Sequence, residues 1–278
     1  MKAATLNPIS WSNDGLTACW LGHSTVLLNC HGTWVLTDPV LVDVIGIGLP
    51  VFGKVGLKRQ APLPMSPKRL PPIDVVLISH AHMDHLDYQS LELLKYKKET
   101  TVITPVNTSK LVERFGFRDV IELPNKKEVN VGAIRLRSFS VRHSGARTPF
   151  DVEYSSDKQV GTGYNAYLVT GSESCFFFMG DTGFTRRFKG KFDGQHVDLA
   201  IAPIGGYLPW GPAVHANPSQ AMRMVIDIGA TKMLPVHWGT FAIGTEKPAD
   251  AIKALGKHAA GKQVGVVGSR AGETVVVR

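Results

Sequence analysis

The chain has 278 residues, 44% hydrophobic and 19% charged, with a formal net charge of +8 at pH 7. Such a composition excludes collagen-like, disulfide-framework and intrinsically disordered classes, and leaves material for a large core. No run approaches the roughly 18 consecutive apolar residues that a membrane-spanning helix requires. At this length one domain over residues 1–278 is expected. Met1 to Ser12 carry one lysine and no apolar segment before a cleavage-type site, so no secretory signal is read there. Cys19, Cys30 and Cys175 are odd in number and lie in apolar runs, which predicts buried free thiols and a cytoplasmic, reducing location. An approach of Cys19 to Cys30 across a hairpin stays open. The positive charge suits an anionic partner such as a phospholipid headgroup, a phosphorylated small molecule or nucleic acid, though many basic proteins bind none.

In chain order, short β-rich runs at 17–21, 25–30 and 33–37 are separated by Gly22-His23-Ser24 and His31-Gly32, a meander of hairpins. Residues 41–67 are rich in proline and glycine, and 44–53 are apolar without a charge. This long loop is too apolar to be disordered. Beside it stand Lys54, Lys58, Arg59, Lys68 and Arg69, and an apolar patch next to a basic one suits peripheral contact with a membrane surface. The blander reading is a loop packed on its own domain. Residues 74–79 (DVVLIS) form a strand apolar on both faces. Helices are expected at 86–95 and 108–115, and strands at 101–104, 127–131, 134–141, 165–170, 175–179 and 199–203. A helix at 218–228 has Asn217 as N-cap, Pro218 at its first position and Gln220 at the capping-box position. Strands at 233–236, 264–267 and 274–277 and a helix at 248–257 complete the pattern. It is α/β: two sheets face to face with helices outside.

The chemistry concentrates in Ser79-His80-Ala81-His82-Met83-Asp84-His85, directly after a buried strand. Alternate side chains at a strand end let His80 and His82 converge on one ion, and the turn that follows aims Asp84 and His85 at a second. A lone histidine is more often a satisfied core residue. Three histidines and an aspartate this close are costly to bury without a metal. The same event, a buried strand ending in a metal-type side chain, recurs at His143, Asp181 and His237. Imidazole and carboxylate together favour Zn2+, with Mn2+ or Fe2+ alternatives.

The SHAHMDH segment resembles the HxHxDH signature of the metallo-β-lactamase superfamily, and the order of the later ligands is similar. More closely, the chain resembles the N-acyl-phosphatidylethanolamine phospholipase D branch. The residues that carry this are 20–26 (WLGHSTV), 36–39 (LTDP), 71–74 (PPID), 80–88, 176–183 (FFFMGDTG), 203–207 and 237–242 (HWGTFA). The resemblance implies a four-layer αββα sandwich with two mixed sheets and two divalent metals at one edge. It implies His80, His82 and His143 on one metal, Asp84, His85 and His237 on the other, and Asp181 bridging. His215 matches a further active-site histidine that lies near the metals without binding them.

With two cations, a water is activated to attack phosphorus or a carbonyl carbon. Asp84 orients it, Asp181 bridges, and His215 donates to the departing oxygen. Asp38, at the exit of a strand, is a candidate to orient a ligand histidine, against an equal reading as a turn-initiating Asp-Pro. His23 is a candidate pocket residue. His31, His196 and His258 are assigned nothing. The leading expectation is a phosphodiesterase of phospholipase D type, with a lactonase or amidase as the alternative. A nuclease ranks low, because no large inserted domain fits, and nucleic acid is not the expected partner. A non-catalytic metal-binding module predicts a missing ligand, and none is missing. Oligomeric state is left open.

Overall fold

The computed structural model describes residues 6–49, 53–148, 150–152, 154–155, 160–192 and 194–278. The chain enters through an antiparallel meander, β1 (Leu16–Gly22), β2 (Thr25–Cys30) and β3 (Thr33–Thr37). A separate hairpin follows, β4 (Val44–Leu49) and β5 (Gly53–Lys58). Then come β6 (Val75–Leu77), α1 (Tyr88–Leu93), β7 (Thr101–Thr104) and β8 (Asp119–Glu122). The second half contains β9 (Glu128–Val131), β10 (Ile134–Ser140), β11 (Asn165–Thr170), β12 (Cys175–Phe178) and β13 (Val197–Pro203). It closes with α2 (Pro218–Asp227), β14 (Ala230–Val236), α3 (Pro248–Ala259), β15 (Gly265–Val266) and β16 (Thr274–Val276).

Two mixed sheets result, in the orders β16-β1-β2-β3-β6-β7-β8 and β15-β14-β13-β12-β11-β10-β9. They pack face to face, with Leu28, Val35 and Leu77 of the first meeting Leu136, Phe176 and Phe178 of the second in one buried cluster. The outer face of the second sheet, with Phe177 and Ala200, is covered by Ala221, Met224 and Val225 of α2 and Leu255 of α3. Leu91 of α1 joins Leu27, Val76 and Val102 on the outer face of the first. This is the αββα sandwich expected from the sequence. It also explains why residues 175–178 are apolar throughout: Phe176 and Phe178 face the other sheet while Cys175 and Phe177 face the helices.

α2 starts as its sequence dictates. The Asn217 carboxamide accepts from the Gln220 amide, and Gln220 Oε1 accepts from the Asn217 amide, each at 3.0 Å. Elsewhere the structure differs from expectation. The helix expected at 108–115 is two separate 3-10 turns, Ser109–Leu111 and Glu113–Phe115, stopped by Gly116 at φ 72°. The one expected at 86–95 is shorter, because residues 82–86 form a turn of their own and Asp87 caps the Ser90 amide. β8 was not anticipated; its residues are half-exposed and carry no alternating pattern.

The largest difference lies in residues 41–67, which hold a hairpin rather than a structureless loop. Its register sets Gly46 opposite Gly56 and Ile47 opposite Val55. A Cβ at Gly46 would sit 2.3 Å from the Val55 carbonyl oxygen, so the glycines permit the pairing. Glycine on one face and Ile45, Ile47, Val55 and Leu57 on the other erase the usual alternation from the sequence. Pro50, Val51 and Phe52 of the apolar stretch lie outside the described residues. The neighbouring basic residues divide. Lys54 pairs with Asp87, and Arg59 donates to the carbonyls of Val40 (2.6 Å) and Val42 (3.0 Å), so both hold the fold together. Lys58, Lys68 and Arg69 stay exposed.

Among the described residues no helix is long and apolar enough to cross a membrane. The three cysteines are free and buried, and the β1–β2 register sets Cys30 opposite Leu16 and Cys19 opposite Leu27, so Cys19 and Cys30 do not face each other. Burial pushes their thiols up, Cys19 and Cys175 to about 12 and Cys30 to about 11. A raised folded-state value favours the native protein fully below the ordinary thiol value. The contribution fades as pH rises from there through about 11. Stability from guanidinium titrations is therefore expected to fall between pH 9 and pH 11. An aromatic disulfide reagent at pH 8 should label none of the three thiols until the chain unfolds.

Candidate metal centre

The seven histidines and three aspartates predicted for the site converge at one edge of the sandwich. From the first sheet, His23 sits in the β1–β2 turn, Asp38 directly after β3, and His80, His82, Asp84 and His85 after β6. From the second, His143 follows β10, Asp181 follows β12, His215 lies in the β13–α2 connection, and His237 follows β14. The sheets are joined at this edge: the Asn165 amide donates to the Ser79 carbonyl at 2.9 Å, and the Tyr167 hydroxyl donates to the Ile78 carbonyl at 2.9 Å. Gly180, at φ 57°, lets the Asp181 loop close on this point, since a Cβ there would lie 2.5 Å from Ser79 Cβ.

Two groups of ligand-type atoms form. In the first, His82 Nδ1 lies 2.8 Å from His80 Nε2 and 3.3 Å from His143 Nε2. In the second, Asp84 Oδ2 lies 2.9 Å from His23 Nε2, 3.4 Å from His85 Nε2 and 3.6 Å from His237 Nε2. Asp181 Oδ2 reaches both, at 3.1 Å from His85, 3.0 Å from His237 and 3.8 Å from His143. His215 Nδ1 stands 3.6 Å from the same oxygen, its ring stacked on His237.

Surrounding hydrogen bonds dictate which nitrogen of each ring faces inward. Asp38 accepts three: from the Ser79 amide (2.7 Å), the Ser79 hydroxyl (2.5 Å) and His85 Nδ1 (2.6 Å). Because the Ser79 proton goes to Asp38, the hydroxyl oxygen accepts from His80 Nδ1 at 2.8 Å. His143 Nδ1 donates to the Val214 carbonyl and His237 Nδ1 to the Gly205 carbonyl, each at 3.2 Å. In their neutral forms all four rings therefore turn an Nε2 lone pair to the centre. Asp38 orients one histidine from each group, the first directly and the second through Ser79. Of the two sequence readings of Asp38, the structure supports the orienting one. The residue that reading missed is Ser79, whose only signal was a polar side chain ending a wholly apolar strand.

His23, the weaker candidate, is also in the centre. It is buried, its ring 4.4 Å from His237 and edge-on to Phe241. Its backbone joins the parts as well: the His23 amide donates to Thr240 Oγ1, and its carbonyl accepts from the His237 amide. His31, His196 and His258 lie away from this edge, His31 bonded to Ser174 and His196 beside Asp198.

The electrostatics follow. Burial, with other rings nearby, lowers His143 to about 3 and His23 to about 4 and holds His80 well below its ordinary value. Burial likewise lowers His215 to about 4, against the pull of Asp181. Burial opposes ionisation of Asp84 and Asp181, yet the histidines around them win, and both fall well below the usual carboxylate range. The same carboxylates, Asp181 first, raise His237 to about 9 and His85 well above its ordinary value, burial notwithstanding. His85 Nε2, His237 Nε2, His215 Nδ1 and Asp181 Oδ1 are buried and make no hydrogen bond. Lone pairs and carboxylates packed without donors are what a divalent cation relieves. Tetrahedral zinc with bonds of about 2.0–2.1 Å spaces its nitrogens by about 3.3 Å, close to the separations in the first group. The donor set fits a metal.

Removing Asp38 tests this arrangement. Asp38→Asn keeps the volume but weakens the bonds that orient His80 and His85, and metal affinity should fall about 10–100-fold. Competition against a chromogenic chelator measures it, and unchanged affinity would refute the orienting role.

Comparison with known proteins agrees with this geometry. The family model for the beta-lactamase superfamily domain matches residues 33–238. An uncharacterised Mycobacterium tuberculosis protein is 32% identical over 252 residues, covering 86% of this chain. The chain spans only 63% of the length of that relative. An N-acyl-phosphatidylethanolamine-hydrolysing phospholipase D of Caenorhabditis elegans is 31% identical over 263 residues, covering 88% of this chain and 70% of its own. The crystal structure of a possible metal-dependent hydrolase from Veillonella parvula superposes with TM-score 0.70 at 20% identity, covering 94% of this chain and 99% of that one. The chain belongs to the beta-lactamase superfamily and has the metallo-β-lactamase fold, in a branch shared with N-acyl-phosphatidylethanolamine-hydrolysing phospholipase D.

Proposed function

We propose that the chain is a metal-dependent phosphodiesterase of phospholipase D type, acting on N-acyl-phosphatidylethanolamine or a related phosphodiester. The observation that carries the reading is the pair of inward-facing ligand groups with Asp181 reaching both. His80, His82 and His143 would hold one cation, and Asp84, His85 and His237 the other, with Asp181 between. Nitrogen and oxygen donors together favour zinc, and Mn2+ or Fe2+ accept the same set. When bound, two divalent cations supply a nucleophilic water at neutral pH and neutralise charge growing on the scissile group.

The residues do the rest. Asp84 is the least enclosed carboxylate of the centre, at 16% exposure, and it accepts from the attacking water and orients it. His23 donates to Asp84 and keeps it turned inward. His215 binds no metal in this scheme; lowered to about 4, it is a neutral imidazole that donates a hydrogen bond to the oxygen on which charge develops. A lipid substrate is supported by an exposed apolar face on a hairpin packed against the centre. Ile47 and Val55 are 58% and 54% exposed on one face of the β4–β5 hairpin. The hairpin's buried Ile45 packs with Phe241, whose ring meets His23. That face suits peripheral contact with a lipid surface.

Zinc-loaded protein incubated with N-acyl-phosphatidylethanolamine in mixed micelles should release N-acylethanolamine, read by mass spectrometry. His82→Ala is expected to fall to background, and His215→Ala to lose about 10²–10³-fold in kcat. Turnover of a lactone without lipid product would move the reading to carbonyl hydrolysis by the same centre. Full metal loading with no hydrolysis of any of these substrates would reject it.

A further inference from the structure

We infer that Arg147 is a positioning residue of the metal centre, a clamp that holds the turn bearing His82, Asp84 and His85 to the loop bearing His143. The inference rests on the ligand roles proposed above, but its observations are separate. Arg147 lies four positions beyond His143, in a segment without helix or strand. Its guanidinium crosses to the other sheet's loop, where a single nitrogen, Nη1, donates to the Ala81 carbonyl at 2.9 Å and to the Leu86 carbonyl at 2.8 Å. Those two carbonyls bracket the ligand turn. Between them the turn closes on itself through the His85 and Leu86 amides, which both donate to the His82 carbonyl. One donor group thus sets the span between the turn's two ends.

The clamp is itself held at both sides. The guanidinium carbon lies 4.0 Å from the centre of the Tyr88 ring, on the first turn of α1. On its own loop, the Thr162 hydroxyl donates to the Gly145 carbonyl, and a Cβ at Gly145 would meet the Thr162 carbonyl oxygen at 2.0 Å, so the backbone there has no room to drift. Asp151 then closes the far side by accepting from the Thr148 amide and hydroxyl, each at 2.8 Å. Arg147 consequently ties ligands of both groups together: His82 and His143 of the first, Asp84 and His85 of the second. Taking a guanidinium partly out of water is costly, and direct coupling of the two ligand-bearing loops is what this one achieves.

The test measures metal rather than turnover. Wild type, Arg147→Ala and Arg147→Lys are each titrated with zinc against a chromogenic chelator, with the thermal midpoint of the metal-free protein recorded alongside. Arg114→Ala is the control, since Arg114 also lies over Tyr88, at 4.1 Å, but makes no bond to the ligand turn. The expected result is a zinc affinity lower by about 10–100-fold in Arg147→Ala, intermediate in Arg147→Lys and unchanged in Arg114→Ala. If Arg147→Ala does not fold, Arg147→Lys decides alone: its zinc dissociation rate must rise more than its metal-free midpoint accounts for. Wild-type affinity in a folded Arg147→Ala overturns the clamp. A loss matching Arg114→Ala overturns it too, since it would trace to the Tyr88 contact. If wild type binds no metal, the failure belongs to the proposed function.

Discussion

A wholly buried carboxylate, Asp38, is the interaction on which the centre depends. It accepts from the Ser79 amide, the Ser79 hydroxyl and His85, joining the end of β3 to the exit of β6. A buried carboxylate with fewer partners would take up a proton; burial pushes Asp38 that way and the donors push back. In return it imposes one tautomer on His85 and, through Ser79, one on His80. Backbone carbonyls do the same for His143 and His237. The outcome is a pocket that gathers imidazole nitrogens and carboxylate oxygens on one centre, an arrangement suited to cations.

The sandwich makes this rigid. Each sheet sends strand exits to the same edge, and the hydrogen bonds between Asn165, Tyr167 and the 78–79 backbone close that edge. Side chains on strand ends have little freedom to lose when a ligand binds, so little affinity is spent on ordering them. Behind them Phe176, Phe177 and Phe178 fill both faces of β12 and anchor Asp181 three residues on. The loops between strands are less constrained, and there the bonds of Arg147, Arg59 and Lys54 act as ties. Each of these cations holds the fold together, so the basic character of the sequence is partly structural and not all of it is free to attract an anionic partner.

The β4–β5 hairpin turns one sequence feature into two physical roles. Its glycine positions let the two strands approach closely, while its other face stays apolar and partly exposed beyond Ile45. Ile45 packs with Phe241, whose ring meets His23, so buried side chains brace the hairpin against the centre.

By itself the sequence determined the layer architecture and the candidate ligand residues that the fold brings to one edge. Both depend on local signals: apolar strands of period two, a capping box at Asn217, and metal-type residues set just past buried runs. What it left undecided was everything that depends on which loops meet. Asp38 as orienting carboxylate or turn former, His23 inside or outside the centre, and the fate of residues 41–67 each turned on partners distant in the chain, Ser79, Asp84 and Phe241 among them. Ser79 and Arg147 carried no recognisable pattern, because a second contact around a ligand needs only a donor at the right place. Tertiary structure decided those cases because hydrogen bonds depend on direction and distance in space, whereas strand periodicity and caps are written in neighbouring residues.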